Sequence, residues 1–204
     1  MARKSNRQSG MRTRIAAAAA RLMAEDGIDD FAFAKRKAAR QLGAADTQSL
    51  PRNDEIEAEL RAYRALYQAE SHPEVIAELR RVALEAMSVL EPFRPYLTGP
   101  VLKGIAGPYA EIELQLFPDS AKDVEIFLLD RRISFSTHEG RRYSGDRARA
   151  VSLFSLTWNG VPLKLSVFDR RDERIALKTT LAGRVAERAG IAEVGALLQG
   201  NKPP

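Results

Sequence analysis

Up to about residue 90, apolar positions fall three or four apart along the chain; beyond residue 110 they fall two apart. The first spacing is that of an amphipathic helix, the second that of a half-buried strand. Between Arg12 and Glu25, Ile15, Ala18, Ala19 and Leu22 mark a first helix, and Asp26-Gly27 stops it. A second helix is expected from Ala32 to Leu42, ending at Gly43 and carrying Lys35, Arg36, Lys37 and Arg40. Residues 44–53 read as a polar connection containing Pro51. Asn53 can cap a third helix, whose acidic first turn suits the helix dipole and whose apolar row is Ile56, Leu60, Tyr63 and Tyr67. Ser71-His72-Pro73-Glu74 has the form of a capping box with proline just inside the start. It opens a fourth helix through Val75, Leu79, Val82, Ala83, Met87 and Leu90. Pro92, Pro95, Gly99 and Pro100 then interrupt the chain, which makes 92–100 the natural boundary.

After the boundary, Ala110–Phe117 alternates, with Ile112, Leu114 and Leu116 on one face and Glu111, Glu113 and Gln115 on the other. Asp119-Ser120 starts a short helix with Val124, Phe127 and Leu128 inward, and Ile133–Thr137 reads as a strand. Arg141–Arg149 reads as a polar loop. Val151–Trp158 and Val161–Phe168 flank Asn159-Gly160, the pairing expected of a hairpin closed by a type I′ turn. A last helix is expected from Leu181 to Leu198. The pattern predicts an α+β protein: a helical N-terminal region over 15–97 and a mixed β-sheet domain with flanking helices over 98–204.

Composition narrows the chemistry. The 204 residues include no cysteine and two histidines, which excludes disulfides, thiol nucleophiles, zinc fingers, iron–sulfur centres and histidine-rich metal sites. The net charge of +5 invites a nucleic-acid reading, but Arg3, Lys4, Arg7, Arg12 and Arg14 supply all of it. Residues 1–14 therefore read as a basic, flexible, solubilising tail on a neutral body. Ile15–Arg21 is too weakly hydrophobic for a secretory signal, and no apolar run reaches the roughly 18–20 residues of a membrane span. A cytoplasmic protein with no membrane partner is expected.

The densest chemistry lies in Val101–Phe117, where Gly104-Ile105-Ala106-Gly107 precedes two carboxylates on one strand face. Glu111 and Glu113 sit about 7 Å apart along that strand. Such a pair can share divalent cations, and glycines upstream let backbone N–H groups approach a triphosphate. Two metals holding a triphosphate while a hydroxyl attacks is the logic of nucleotidyl transfer. The same alternation also describes a solvated strand face, and that reading stays open.

On these residues the chain resembles the nucleotidyltransferase-fold superfamily, whose minimal domain is shared with polymerase-beta-like enzymes. The family pattern is a hydrophobic residue, Gly-Ser, a loop often holding another glycine, then Asp-x-Asp on a strand. Gly104 resembles the first glycine, Gly107 the loop glycine, and Glu111-Ile112-Glu113-Leu114 the acidic strand. The resemblance implies a helix before the glycine turn, met by Pro73–Leu90, and a third acid on a later strand, for which Val161–Phe168 is the counterpart. It further implies a nucleoside triphosphate as substrate and Mg2+ held by Glu111 and Glu113. Lys103, Gly104, Ile105, Ala106 and Gly107 would line the triphosphate, and Lys164 would join Glu111 and Glu113 in catalysis. The departures are definite. Ile105 or Ala106 replaces the serine, both acids are glutamate, and Lys164 holds the third-acid position. They imply a diverged site, inactive or working with one metal.

Other charged positions read as structure. Lys122, Asp123 and Glu125 suit a solvated helix face, and Asp169–Arg174 a solvated turn. No serine or acid is placed to make a triad with His72 or His138, and Trp158 suits a hairpin anchor. Two alternatives to an enzyme remain. Arg14–Gly43 resembles the opening of tetracycline-repressor-like regulators, although Asp46–Asn53, with Pro51, is too short and broken for their recognition helix. The basic tail and Lys35–Arg40 would then contact nucleic-acid phosphates without reading bases. A non-catalytic role, with the helical half binding a partner protein, is the other.

Overall fold

A computed structural model describes residues 2–45, 49–144, 147–176, 178 and 185–200. The chain forms two compact units, Met1–Val75 and Ile76–Pro204. The division falls inside the fourth helix, upstream of the 92–100 break. The class is α+β, with helices at the N-terminus and a six-stranded mixed sheet after them.

The first unit is built on α1 (Ala2–Glu25), α2 (Phe31–Gln41) and α3 (Asn53–Tyr67). Alanine dominates the buried faces: Ala16, Ala19 and Ala20 of α1 and Ala34, Ala38 and Ala39 of α2, with Ile15, Met23, Ile56 and Leu60 filling between. Asp30 caps α2 by accepting the N–H groups of Ala32 and Phe33. Arg12 Nε donates to Glu55 at 2.9 Å, and Glu55 also accepts the N–H of Arg52 at 2.7 Å. The Arg12 hydrogen bond, with the Arg52 N–H and the charges of both arginines, outweighs partial burial and holds the Glu55 carboxyl at about 2. The basic segment read as a tail belongs to this unit's first helix. Backbone from Ala2 to Glu25 is one helix: no proline interrupts it, and alanine, arginine and other strong helix formers outnumber Ser5, Asn6, Ser9, Gly10 and Thr13.

α4 (Ser71–Val89) links the units. The second continues with β1 (Tyr96–Thr98), α5 (Gly99–Leu102), β2 (Ile112–Leu116), α6 (Ala121–Asp130), β3 (Phe135–Ser144), β4 (Arg147–Trp158), β5 (Val161–Val167), β6 (Arg188–Ala189) and α7 (Ile191–Leu198). The sheet order is β3-β4-β5-β2-β1-β6. All its pairings are antiparallel except β2 with β5, which run parallel with Ile112 opposite Leu163 and Glu113 opposite Lys164. Ile112, Leu114, Leu116, Leu163, Leu165 and Val167 share one buried face, and the buried rows of α4 (Leu79, Val82, Ala83, Ala86, Met87) and α6 (Val124, Leu128) complete the core.

Four expectations change. Residues 141–149 are not a loop: Arg142 pairs with Arg149 and Tyr143 with Ala148 in an unbroken β3–β4 ladder. Arginines on an exposed hairpin hide the alternation that a buried strand displays. The 92–100 break holds a strand, β1, and the start of α5. The last helix begins at Ile191, where the Gly190 N–H donates to Glu193 at 2.6 Å; Leu181 to Arg184 lie outside the described residues. The Asp169–Arg174 turn is partly buried. Asp172 is 4% exposed and ion-paired with Arg149 at 2.8 Å, while Glu173 accepts hydrogen bonds from Arg94 and Tyr96.

The β4–β5 hairpin turns where expected, with Asn159 at φ 48° and Gly160 at φ 81°. A methyl group at Gly160 would meet nothing, so only backbone strain opposes it. Gly160→Ala is expected to lower unfolding stability by about 1–2 kcal/mol, the cost of a left-handed backbone for an L-residue, measured by urea denaturation.

Candidate functional site

Alternation gives the sheet two unlike faces. Opposite the apolar core face, Thr98 of β1, Glu113 and Gln115 of β2, Lys164 and Ser166 of β5, and Ser155 of β4 lie side by side in register. Thr98, Gln115 and Ser166 are each less than 9% exposed, so this polar floor is largely shielded from solvent. Further along the same face it gives way to an aromatic block, with Phe117 stacked on Phe168 at 5.5 Å and packed with Val151.

Glu113 stands at the centre. Its carboxylate lies against the backbone of Gly99, where a Cβ would come within 3.0 Å of Cδ and 3.2 Å of both oxygens. Gly99 also has φ 73°, so glycine is required there twice over: for the backbone and for the space. Burial pushes the Glu113 carboxyl above its ordinary value; Lys164, Arg142 and Lys103 oppose the shift, while Glu111 adds to it. Glu111 Oε2 is 3.5 Å from Lys164 Nζ, both groups being about one-third exposed. Glu111, Glu113 and Lys164, separated by fifty residues, therefore meet at one place. Lys103 is the C-terminal residue capping α5, and Arg142 reaches the same region from the β3–β4 hairpin, its guanidinium made less basic by burial.

The glycine turn before β2 does something other than expected. Gly104 N–H donates to Val101 O and Ile105 N–H to Pro100 O, the two bonds of a Schellman cap on α5, with Gly104 at φ 68°. Arg80 donates to the Val101 and Leu102 carbonyls and braces the same helix end. The amides of Gly104 and Ile105 are thus engaged within the protein and are not available to a phosphate. The Ile105 and Ala106 side chains are buried, 4% and 1% exposed, and Gly107 accepts the Ala110 N–H through its carbonyl. The glycine that meets the acidic strand is Gly99. The pattern Thr98-Gly99-Pro100 was its signal, and it was read only as a chain break. Arg142 carries no signal of its own, because an exposed arginine-rich hairpin lacks the apolar alternation of a strand.

Among the described residues no three histidine, aspartate or glutamate side chains converge as a metal cage. The donor set at Glu113 is two carboxylates with a lysine ammonium beside one of them. It does not fit a pair of metal ions, since Lys164 would repel the second. It does fit a single Mg2+ whose remaining ligands are waters and phosphate oxygens of a bound substrate. In the first unit, Lys37 pairs with Asp26 at 2.9 Å, Lys35 donates to Asn53 at 2.8 Å and Arg40 Nε donates to the Arg36 carbonyl at 3.4 Å, so three of the four basic residues of α2 are engaged internally. No described residue between α2 and α3 is helical; residues 46–48 lie outside the description. His72 Nε2 lies 2.7 Å from Arg64 Nη1, so this ring is engaged within the first unit. No described helix is long and apolar enough to cross a membrane.

The raised Glu113 carboxyl has a stability consequence. The folded state holds this proton more tightly than the unfolded chain, so its stabilising contribution is complete below the ordinary carboxyl value of 4.5 and is lost as pH rises through the raised value. Glu113→Gln is expected to stabilise the protein at neutral pH and to flatten its stability between pH 4.5 and 7, measured by thermal unfolding across that range. Comparison with protein-family models, with curated proteins and with solved structures gives no match to this chain.

Proposed function

We propose that the polar sheet face around Glu113 is a nucleotide site of the nucleotidyltransferase type, diverged from the two-metal pattern. The observation that carries this reading is the parallel β2–β5 pairing, which sets Lys164 beside Glu113 at the position where the resembled family has its third acid. The order β1, Gly99, α5, β2 supports it: a strand, a glycine against the first helical turn, and an acidic strand antiparallel to the first. The preceding α4 supplies the helix that the resemblance requires.

In this reading the triphosphate of a nucleoside triphosphate lies over the polar floor. Lys164 and Lys103 neutralise its charge, and Arg142 adds a third cation from the hairpin. Glu111 and Glu113 would hold one Mg2+, which supplies electrostatic stabilisation of charge on the phosphates. The transfer joins an acceptor oxygen to the α-phosphorus, releases pyrophosphate, and passes the acceptor proton to a base. Lys164 lowers the local negative charge that a second metal would need, so turnover is expected to be slow or confined to one acceptor.

Titration calorimetry of the full chain with ATP and Mg2+ tests the reading. Binding is expected for wild type and is expected to fall about tenfold or more in Glu113→Ala and in Lys164→Ala, each of which removes one charged contact. Absence of heat for wild type, or unchanged affinity in Glu113→Ala, overturns it.

A further inference from the structure

The row that holds the candidate site continues across the sheet. Glu113 lies opposite Lys164, Lys164 opposite Ser155, and Ser155 opposite Ser136 of β3. Arg142 stands on the same face six residues beyond Ser136, about 20 Å further along a straight strand. Three strand spacings of about 5 Å also separate β3 from β2, so a flat sheet would hold Arg142 and Glu113 out of each other's reach. The guanidinium is nevertheless half-buried, and its charge acts on Glu113. Pairing at the far part of the ribbon points the same way. Tyr143 exchanges both backbone hydrogen bonds with Lys178, at 2.9 and 2.8 Å. Lys178 also pairs with Val185, three residues before Arg188, which pairs with Thr98 of β1. The β3–β4 ribbon therefore curls over the polar face toward the strands at the other side of the sheet. Gly140, on that face between Ser136 and Arg142, makes room for the curl. A Cβ there would come within 2.8 Å of Leu153 Cδ1 and 3.1 Å of Val151 Cγ1, both on β4. Side chains crowd in this way on the inner side of a bend, and a ribbon without a bulge relieves the crowding with glycine.

We propose that the β3–β4 hairpin is an arm that carries Arg142 to the candidate site, with Gly140 and Asp172 as its positioning residues. Gly140 provides the bend. Asp172 acts through Arg149, the cross-strand neighbour of Arg142, and fixes where the bent ribbon comes to rest: its buried carboxylate lies 2.8 Å from the Arg149 guanidinium. A surface hairpin with no further task needs neither a buried carboxylate beneath one of its arginines nor a glycine pressed against its own partner strand. Burying a carboxylate is costly unless it is paired, so the Asp172 contact draws Arg149 toward one place. Arg142 is the residue that this arrangement serves. Its planar fork can give two N–H groups to two oxygens of one phosphate, which the single ammonium charges of Lys164 and Lys103 cannot. The role of Arg142 toward a phosphate rests on the nucleotide reading above; the delivery of Arg142 to the polar face does not.

The absence of native cysteine lets the bend be measured within one strand. Ala148 and Thr157, both exposed on β4, are nine residues apart, about 30 Å in a straight strand. Spin labels on Ala148→Cys and Thr157→Cys in the full chain are expected to give a distance clearly below that value by double electron–electron resonance. Adding Gly140→Val, Asp172→Asn or Arg149→Gln is expected to lengthen it, with the circular-dichroism spectrum unchanged. Arg149→Gln removes the same ion pair from its partly exposed side, and so stands in if Asp172→Asn fails to fold. Calorimetry with ATP and Mg2+ is expected to show one loss of affinity, about tenfold, for Arg142→Gln, for Asp172→Asn and for the two together, because both act through one guanidinium. A parent distance equal to the straight length overturns the proposal, as does a distance that none of the three substitutions changes. So do losses of affinity that multiply in the double variant. The distance needs no ligand, so it decides the arm even where the nucleotide reading fails.

Discussion

The second unit depends on one parallel pairing. Parallel strands cannot be joined by a tight turn, so β2 and β5 require a long crossover, and here that crossover comprises α6 and the β3–β4 hairpin. The pairing also decides the chemistry. With Ile112 opposite Leu163, every inward residue of both strands is aliphatic, while the outward Glu113, Gln115, Lys164 and Ser166 are polar. A slip of one residue would drive Glu113 and Lys164 into the core and expose Leu114 and Leu165. The apolar face therefore holds the register, and the register brings acid and lysine together. The candidate site is a by-product of core packing in its placement, though not in its composition.

Composition is where the fold departs from what stability alone would select. Gln115 and Ser166 are buried polar residues on a floor that valine or leucine would fill more favourably. Glu113 is held where burial disfavours its charge, and Gly99 is confined to glycine by that same carboxylate. A merely solvated strand face needs none of these features. Glu113, Gln115 and Ser166 lie within paired strands, and Gly99 lies at a left-handed backbone position, so they cannot be assigned to an exposed, tolerant surface. Concentrated unfavourable choices around one carboxylate are the usual mark of a binding or reacting centre.

The helical half and the inner strands were legible because their sequence periods are clean: Ile56 and Leu60 on α3, Leu79, Val82 and Met87 on α4, and the alternation of Ile112 to Leu116. The Glu111–Glu113–Lys164 meeting was legible too, since the resemblance pointed to Val161–Phe168 as the later strand that carries a side chain to the acidic pair. The glycines were not. Gly104 and Gly99 have nearly the same φ, 68° and 73°, yet one ends a helix and the other backs the carboxylate. Local sequence cannot separate a cap from a site glycine when both stand beside the same four-residue helix. The hairpin tip was missed for a different reason. Its partners are Lys178, Asp172 and the Glu113 field, all distant in sequence, and none leaves a periodic trace in Arg141–Arg149.

That hairpin joins two roles that appear unrelated along the chain. Arg149 is tied to buried Asp172, and Tyr143 to Lys178, so two points in the segment after β5 anchor the hairpin. Anchoring keeps Arg142 half-buried on the polar face, where its charge acts on Glu113. It also stiffens the strand that ends the described sheet. A loose hairpin would fray there and expose Phe135, which instead stays packed on Phe154 at 5.5 Å. The arginines that disguise these residues as a loop thus help them to remain a strand: Arg149 is paired with buried Asp172, and the charge of the others discourages indiscriminate pairing along the hairpin. Site and edge are two sides of one ribbon, and a change in the order of its tip must be felt at both.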